Sequence, residues 1–174
     1  MDVLTRVLRE ASGLPVAQVL GTGTMLDTAR LRQVLGEHGD SEVVHWSGAH
    51  VGGQPLRSWR GWMAADEARI ATTVRRAAYE IIQRKGMNNH AIGLVAADLV
   101  RAVLRDEHRV LTVSRQHTDC GWQQSLGEAA LSLPAVVGRG GAKTVWSPTL
   151  DASEAKALQQ SAAVLQQAWA STGT

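Results

Sequence analysis

Ala130-Leu131-Ser132-Leu133-Pro134-Ala135-Val136-Val137, then Gly138-Arg139-Gly140-Gly141, then Lys143-Thr144-Val145-Trp146: two apolar runs separated by a glycine-rich tetrapeptide. The runs are short and a glycine-rich turn joins them, so they read as two strands folded back on one another. Upstream, Arg109 to Ser114 alternates as a third strand. Long helical patterns flank this group. Asp66 caps a helix expected to run to about Lys85, with Ile70, Val74, Ala78 and Ile81 on one face and Gly86 as its stop. A second follows Asn88-Asn89 and runs to about Arg105, with Ile92, Ala96, Leu99 and Val103 as its expected buried face. A last one begins near Ala152 and lines up Leu158, Ala162, Leu165 and Trp169. Strands and helices are grouped rather than alternating, which predicts an α+β fold of antiparallel strands packed with long amphipathic helices.

The N-terminal part is less regular. Asp2 to Ser12 reads as a helix with Leu4, Val7, Leu8 and Ala11 on one side, ended by Gly13 and Pro15. Val16 to Leu20 is expected to be a short strand, and Leu26 to about Gln33 a helix. Glu42 to Trp46 and His50-Val51 are further strand candidates, with a Gly- and Trp-rich loop from Gly52 to Met63. The stretch from Gln116 to Gly127 reads as a loop. There are no internal repeats.

Composition narrows the function. The 174 residues fit one domain with a sizeable core. A net charge of +2, with no Lys/Arg run interleaved with aromatics, argues against a nucleic-acid partner. No apolar run is long enough for a membrane span and no signal peptide is recognisable. The lone Cys120 has no partner for an internal disulfide, which suits a reducing, cytoplasmic setting, and no base or helix start beside it marks a reactive thiol.

Two polar stretches carry the chemistry. In Leu35-Gly36-Glu37-His38-Gly39-Asp40-Ser41-Glu42, a histidine sits between two acids and is bracketed by glycines. Its ring can give or take a proton near neutral pH, and Glu37 and Asp40 can bond the ring or hold the loop. In Gly21-Thr22-Gly23-Thr24-Met25-Leu26-Asp27-Thr28-Ala29-Arg30, the acid and the arginine are three apart and share a helix face. Gly21 and Gly23 do not make a dinucleotide fingerprint: Leu26 stands where its third glycine belongs, and no βαβ unit follows. His38, His45 and His50 fit no standard metal spacing, so no metal is expected.

Together the two stretches resemble the L-lactate dehydrogenases of the lactate/malate dehydrogenase family. The likeness continues through Trp46-Ser47-Gly48, Val51-Gly52-Gly53, Ala77-Ala78-Tyr79-Glu80-Ile81-Ile82, Ala91-Ile92-Gly93, Val103 to Glu107, Val110 to Ser114 and Leu131 to Gly138. It implies a C-terminal catalytic domain spanning residues 1–174, acting with NAD on a pyruvate- or lactate-like acid. By resemblance, His38 is the proton donor and acceptor, and Asp27 orients its ring. Arg30 grips the substrate carboxylate through a two-pronged guanidinium contact. Thr22 and Ile92 lie beside the nicotinamide, and Asn88 occupies the place of a substrate-side threonine. Arg32 matches a position that contacts an effector phosphate in some bacterial members, but the histidine that accompanies it there has no counterpart.

Several departures accompany the likeness. The N-terminal Rossmann half, with most of the NAD site and the substrate-selecting loop, has no counterpart here. Met1 stands where the family has the proline of an Asn-Pro pair. Only Gln33, Val34 and Leu35 lie between Arg32 and Gly36, where the family extends a helix and returns by a strand. A helix from Asp27 to Gln33 rises about 9 Å at about 1.5 Å per residue, and the five residues to His38 reach at most about 17 Å, so return to Asp27 is within range. The reversal falls on residues without Gly, Pro, Asn or Asp. The expected function is therefore an L-lactate dehydrogenase-type oxidoreductase of carboxylic acid metabolism and glycolysis whose isolated chain does not turn over. The expected partner is a Rossmann half or further copies of the chain. The alternative is a non-catalytic association module using the family's subunit surfaces.

Overall fold

The computed structural model describes residues 6, 10, 13, 15–19, 24–25, 33–85, 89–117, 126–145 and 147–171. Within these, β1 (Val34–Leu35) pairs antiparallel with β2 (Val43–Val44), and β3 (His50–Val51) with β4 (Gln54–Pro55). Helices α1 (Ala64–Lys85) and α2 (Asn89–Leu104) follow. A three-stranded antiparallel sheet is then formed by β5 (Arg109–Gln116), β6 (Ala130–Gly138) and β7 (Gly141–Val145), in that order, and α3 (Ala152–Ala170) ends the described chain. The fold is α+β.

The central strand β6 changes partner along one edge. Its β5 side is paired from Ala130 to Val137. On the other side Ser132 exchanges both backbone hydrogen bonds with Gly36, at 2.9 and 2.8 Å, and pairing with β7 starts only at Ala135. Pro134 lies at the changeover, where a residue without an N–H leaves no donor stranded. At the hairpin, Gly141 has φ +84°, and a Cβ there would lie 1.8 Å from the Ala17 carbonyl oxygen, so only glycine lets the N-terminal segment lie against this turn.

Three apolar clusters form among the described residues. Leu35 and Val43, which face each other in register, join Leu131, Leu133, Leu158, Ala162 and Leu165 between the sheet and α3. The other face of the same short ladder, Val34 and Val44, joins Trp46, Ala71 and Val74 under α1. The Trp46 and Trp62 rings meet there tilted by 51°, with centroids 5.8 Å apart. The third cluster packs Val95, Leu99 and Ala102 of α2 on Leu111, Val113, Ala135, Val137 and Ala142.

Two expectations need correction. Val16 to Gln18 form a 3-10 turn, not a strand. A backbone bond closes the turn locally, from the Gln18 N–H to the Pro15 carbonyl at 2.9 Å. On α2, Ala102 is buried and Val95, Leu99 and Val103 pack partly buried beside it, so Leu99 and Val103 lie on the core face as expected, whereas Ile92 is half exposed. This helix is apolar around most of its circumference, so periodicity does not fix its rotation. Smaller differences are at ends: α1 begins at Ala64, and Asp66 in its first turn reaches back to the Met63 N–H. The Asp2–Ser12 helix and the one expected from Leu26 to Gln33 fall largely outside the described residues. So do the Gly86 stop and most of the Gln116–Gly127 loop.

Arg57 ties three elements. It makes two 2.8 Å bonds to Glu67 on α1 and one of 2.6 Å to Asp151, the N-cap of α3. Asp151 and Glu154 form a reciprocal capping box. The Arg57 guanidinium holds the Glu67 carboxyl below its ordinary range, and the Ser153 hydroxyl, then Arg57, do the same for Asp151.

Candidate functional site

The His38 stretch is the loop joining β1 to β2, so each of its ends is clamped by a buried ladder. Gly36 has φ +87°, and a Cβ on it would lie 2.5 Å from Ser161 Oγ. That hydroxyl is fully buried on α3 and accepts from the Glu37 N–H at 2.8 Å. Ser41 Oγ is 3.2 Å from Ser161 Oγ and donates to the Glu37 carboxylate. Glu42 N–H donates to the Gly39 carbonyl at 3.2 Å. Glu37 thus braces the loop, and His38 stands exposed at its outer side.

The second polar stretch is described at Thr24 and Met25. Thr24 is fully buried, its N–H donates to Ser132 Oγ at 3.0 Å, and its hydroxyl donates to the Val34 carbonyl. Ser132 therefore receives both stretches: its backbone pairs with Gly36, two residues before His38, and its hydroxyl binds Thr24, three before Asp27. Asp27, Arg30, Thr22 and Asn88 lie outside the described residues.

The join between the stretches turns at Gln33, which has φ +60°. His45 secures it. Its N–H donates to the Gln33 carbonyl at 3.0 Å, and its ring nitrogens lie 2.6 Å from Gln33 Oε1 and 2.9 Å from the Thr149 carbonyl. The His45 and His50 rings are engaged locally, His50 with the Gly48 carbonyl at 3.0 Å. Among the described residues no group of three His, Cys, Asp or Glu could hold a metal ion.

Beside Met25 and Gln33 a hollow of about 340 Å³ opens against Leu94, Val95 and Leu111. Asp98 and Arg109 also line it, but they grip each other through two 2.9 Å bonds. Arg109 holds the Asp98 carboxyl below its ordinary range. Ile92 stands on the same helix, 48% exposed.

Ser132 and Ser161 escaped functional reading in the sequence. Each lies within an apolar pattern, Ser132 in Leu131–Leu133 and Ser161 between Leu158 and Leu165. A hydroxyl on a buried face must find a partner, and that is the signal that marks both.

Residues 16–172 match the family described as lactate/malate dehydrogenase, alpha/beta C-terminal domain. The chain belongs to the lactate/malate dehydrogenase family. It is 44% identical over 184 residues to the L-lactate dehydrogenase of Synechococcus sp. (strain JA-3-3Ab), covering 96% of this chain and 59% of that protein. It is 41% identical over 194 residues to the L-lactate dehydrogenase of Thermus aquaticus, covering 99% and 62%. The crystal structure of a lactate dehydrogenase enzyme from a Medee basin deep-sea metagenome library superposes with a TM-score of 0.88 at 35% identity, covering 95% of this chain and 59% of that one. The chain thus spans about three fifths of the length of the curated relatives it matches. The 194-residue aligned span also exceeds the 174 residues here, so the Thermus protein carries residues that this family member lacks.

Proposed function

We propose that this chain is the catalytic-domain part, residues 1–174, of an NAD-dependent L-lactate dehydrogenase-type oxidoreductase. It would handle the proton and the carboxylate of a pyruvate- or lactate-like acid in cytoplasmic carboxylic acid metabolism, including glycolysis. The observation that supports this best is the convergence at Ser132, where the stretches leading to Asp27 and to His38 dock on one residue.

In this reading His38 donates a proton to the substrate carbonyl oxygen in reduction and takes it from the hydroxyl in oxidation. Asp27 bonds the other ring nitrogen, fixing tautomer and orientation and stabilising the charged ring. Arg30 holds the carboxylate, and Asn88 contributes to substrate preference. NAD supplies the hydride acceptor or donor when bound. Ile92 and Thr22 flank its nicotinamide, and Ile92 keeps that side of the site dry. Braced by Ser161 and Glu37, the loop keeps the His38 backbone fixed, so the proton-transfer geometry is set before substrate arrives.

The dinucleotide-binding part comes from outside these 174 residues, as a Rossmann half or through assembly. The exposed apolar side chains of α2, Ile92, Leu94, Val100 and Leu104, support a covering partner. NADH oxidation tests the reading. The isolated chain gives no pyruvate-dependent loss of NADH absorbance. The same 174 residues fused behind the dinucleotide-binding half of a relative give one, with pyruvate preferred over oxaloacetate. Turnover by the isolated chain, lost in His38→Asn, would overturn the division of labour. A non-catalytic association module would give none in either form.

A further inference from the structure

The geometry points to a second ligand site, for a phosphate group, at the β6–β7 hairpin. A hollow of about 500 Å³ lies there, within the size range of small-molecule sites. Arg139, Lys143 and His108 line it, together with Asp106, Gly138 and Gly140.

Charge is what sets this hollow apart. Arg6, Arg57, Arg69, Arg101 and Arg109 each hold a carboxylate. Arg139 and Lys143 meet in one concavity, and among the described residues neither side chain has an ion-pair partner within 4 Å. The carboxylate nearest them is engaged elsewhere: Asp106 Oδ1 accepts the Arg139 N–H at 2.7 Å and lies 3.8 Å from His108 Nε2. That backbone bond, more than the nearby cations, holds the Asp106 carboxyl below its ordinary range.

Gly138, Gly140 and Gly141 line the hollow without side chains. A Cβ on Gly140 would lie 2.5 Å from Lys143 Nζ, and one on Gly138 would lie 2.7 Å from Asp106 Oδ1. Both glycines let charged heads fold down against the turn. Asp106 and His108 adopt φ +54° and +50°, a conformation costly to most side chains, and it brings the α2–β5 connection up to the hairpin. A guanidinium and an ammonium lining one hollow suit a tetrahedral dianion, the arginine as a fork and the lysine as a point charge. The hollow also lies apart from the His38 loop. Val136 and Gly138 are four and six residues along β6 from Ser132, about 13 to 20 Å at about 3.3 Å per residue. It therefore stands whether or not the dehydrogenase reading holds.

Titration of the 174-residue chain with inorganic phosphate, and separately with glycerol phosphate, followed by amide NMR shifts, tests the site. Saturable shifts centred on Gly138 to Lys143 are expected, with a dissociation constant of about 1 mM or below. Arg139→Gln and Lys143→Gln, both at exposed positions, each weaken binding about tenfold by removing a charge-assisted contact. Asp106→Asn keeps an acceptor for the Arg139 N–H, removes the competing charge and tightens binding severalfold. Stronger binding of glycerol phosphate identifies a phosphorylated metabolite as the occupant, and equal binding identifies the free ion. Shifts that do not saturate, that centre elsewhere, or that persist unchanged in both Gln variants would overturn the site.

Discussion

Gln33 carries a left-handed backbone that costs a side chain about 1 to 2 kcal/mol. It does so because the chain turns here directly into β1. The sequence shows the turn must fall on Gln33 to Leu35. It does not show which residue yields, because none of them favours φ > 0. His45 decides it, by hydrogen-bonding both the backbone and the amide of Gln33. Gln33→Val, β-branched and without the amide, should cost about 2 kcal/mol or more, whereas Gln33→Gly relieves the backbone and should cost under about 1 kcal/mol. Urea midpoints of the two variants check this ordering. Ser161→Ala removes the acceptor of the Glu37 N–H and should cost about 1 to 3 kcal/mol, with faster hydrogen exchange at Glu37 to Glu42. A Ser161→Ala chain with unchanged exchange there would contradict the bracing role.

At the scale of elements, the sequence was most legible where apolar spacing and punctuation agree. Helix α3 runs from Ala152 after its Asp151 cap, and Leu158, Ala162 and Leu165 are buried as their spacing predicts. The β6–β7 hairpin is equally plain from its glycines. The rotation of α2 was legible only in part: Leu99 and Val103 pack as expected, but Ile92, Leu94 and Val100 are as apolar as the residues that pack and lie exposed. Arg57 was silent in sequence because its partners are 10 and 94 residues away. Its junction predicts pH dependence. The carboxyls of Glu67 and Asp151 titrate lower in the folded chain than in the unfolded one. The stability they contribute is complete above about pH 4.5, and is lost as pH falls through their folded values. Arg57→Met should lower the melting temperature at pH 7 by about 2 to 4 °C, about 1 kcal/mol for a half-exposed cation, and should flatten the acid limb. Melting curves between pH 3 and 7 measure both.

Across the whole molecule, the resemblance placed the family and the fold because its two polar stretches are long and specific. It placed less of the site. The structure brings the His38 loop and Thr24 together on Ser132, while Asp27, Arg30, Thr22 and Asn88 lie outside the described residues. The exposed apolar surface of α2, with Val110 beside it, predicts that the isolated chain associates. Light scattering over rising concentration should show mass growing beyond one chain, and a monodisperse monomer at high concentration would count against a covering partner. The most direct measurement of the central claim is the pyruvate-dependent oxidation of NADH by these 174 residues fused behind a relative's dinucleotide-binding half. The account predicts turnover that falls by about 10² to 10⁴ in His38→Asn, with NADH binding retained. A fusion that folds and binds NADH yet oxidises it no faster with pyruvate, or equally well without His38, would contradict it.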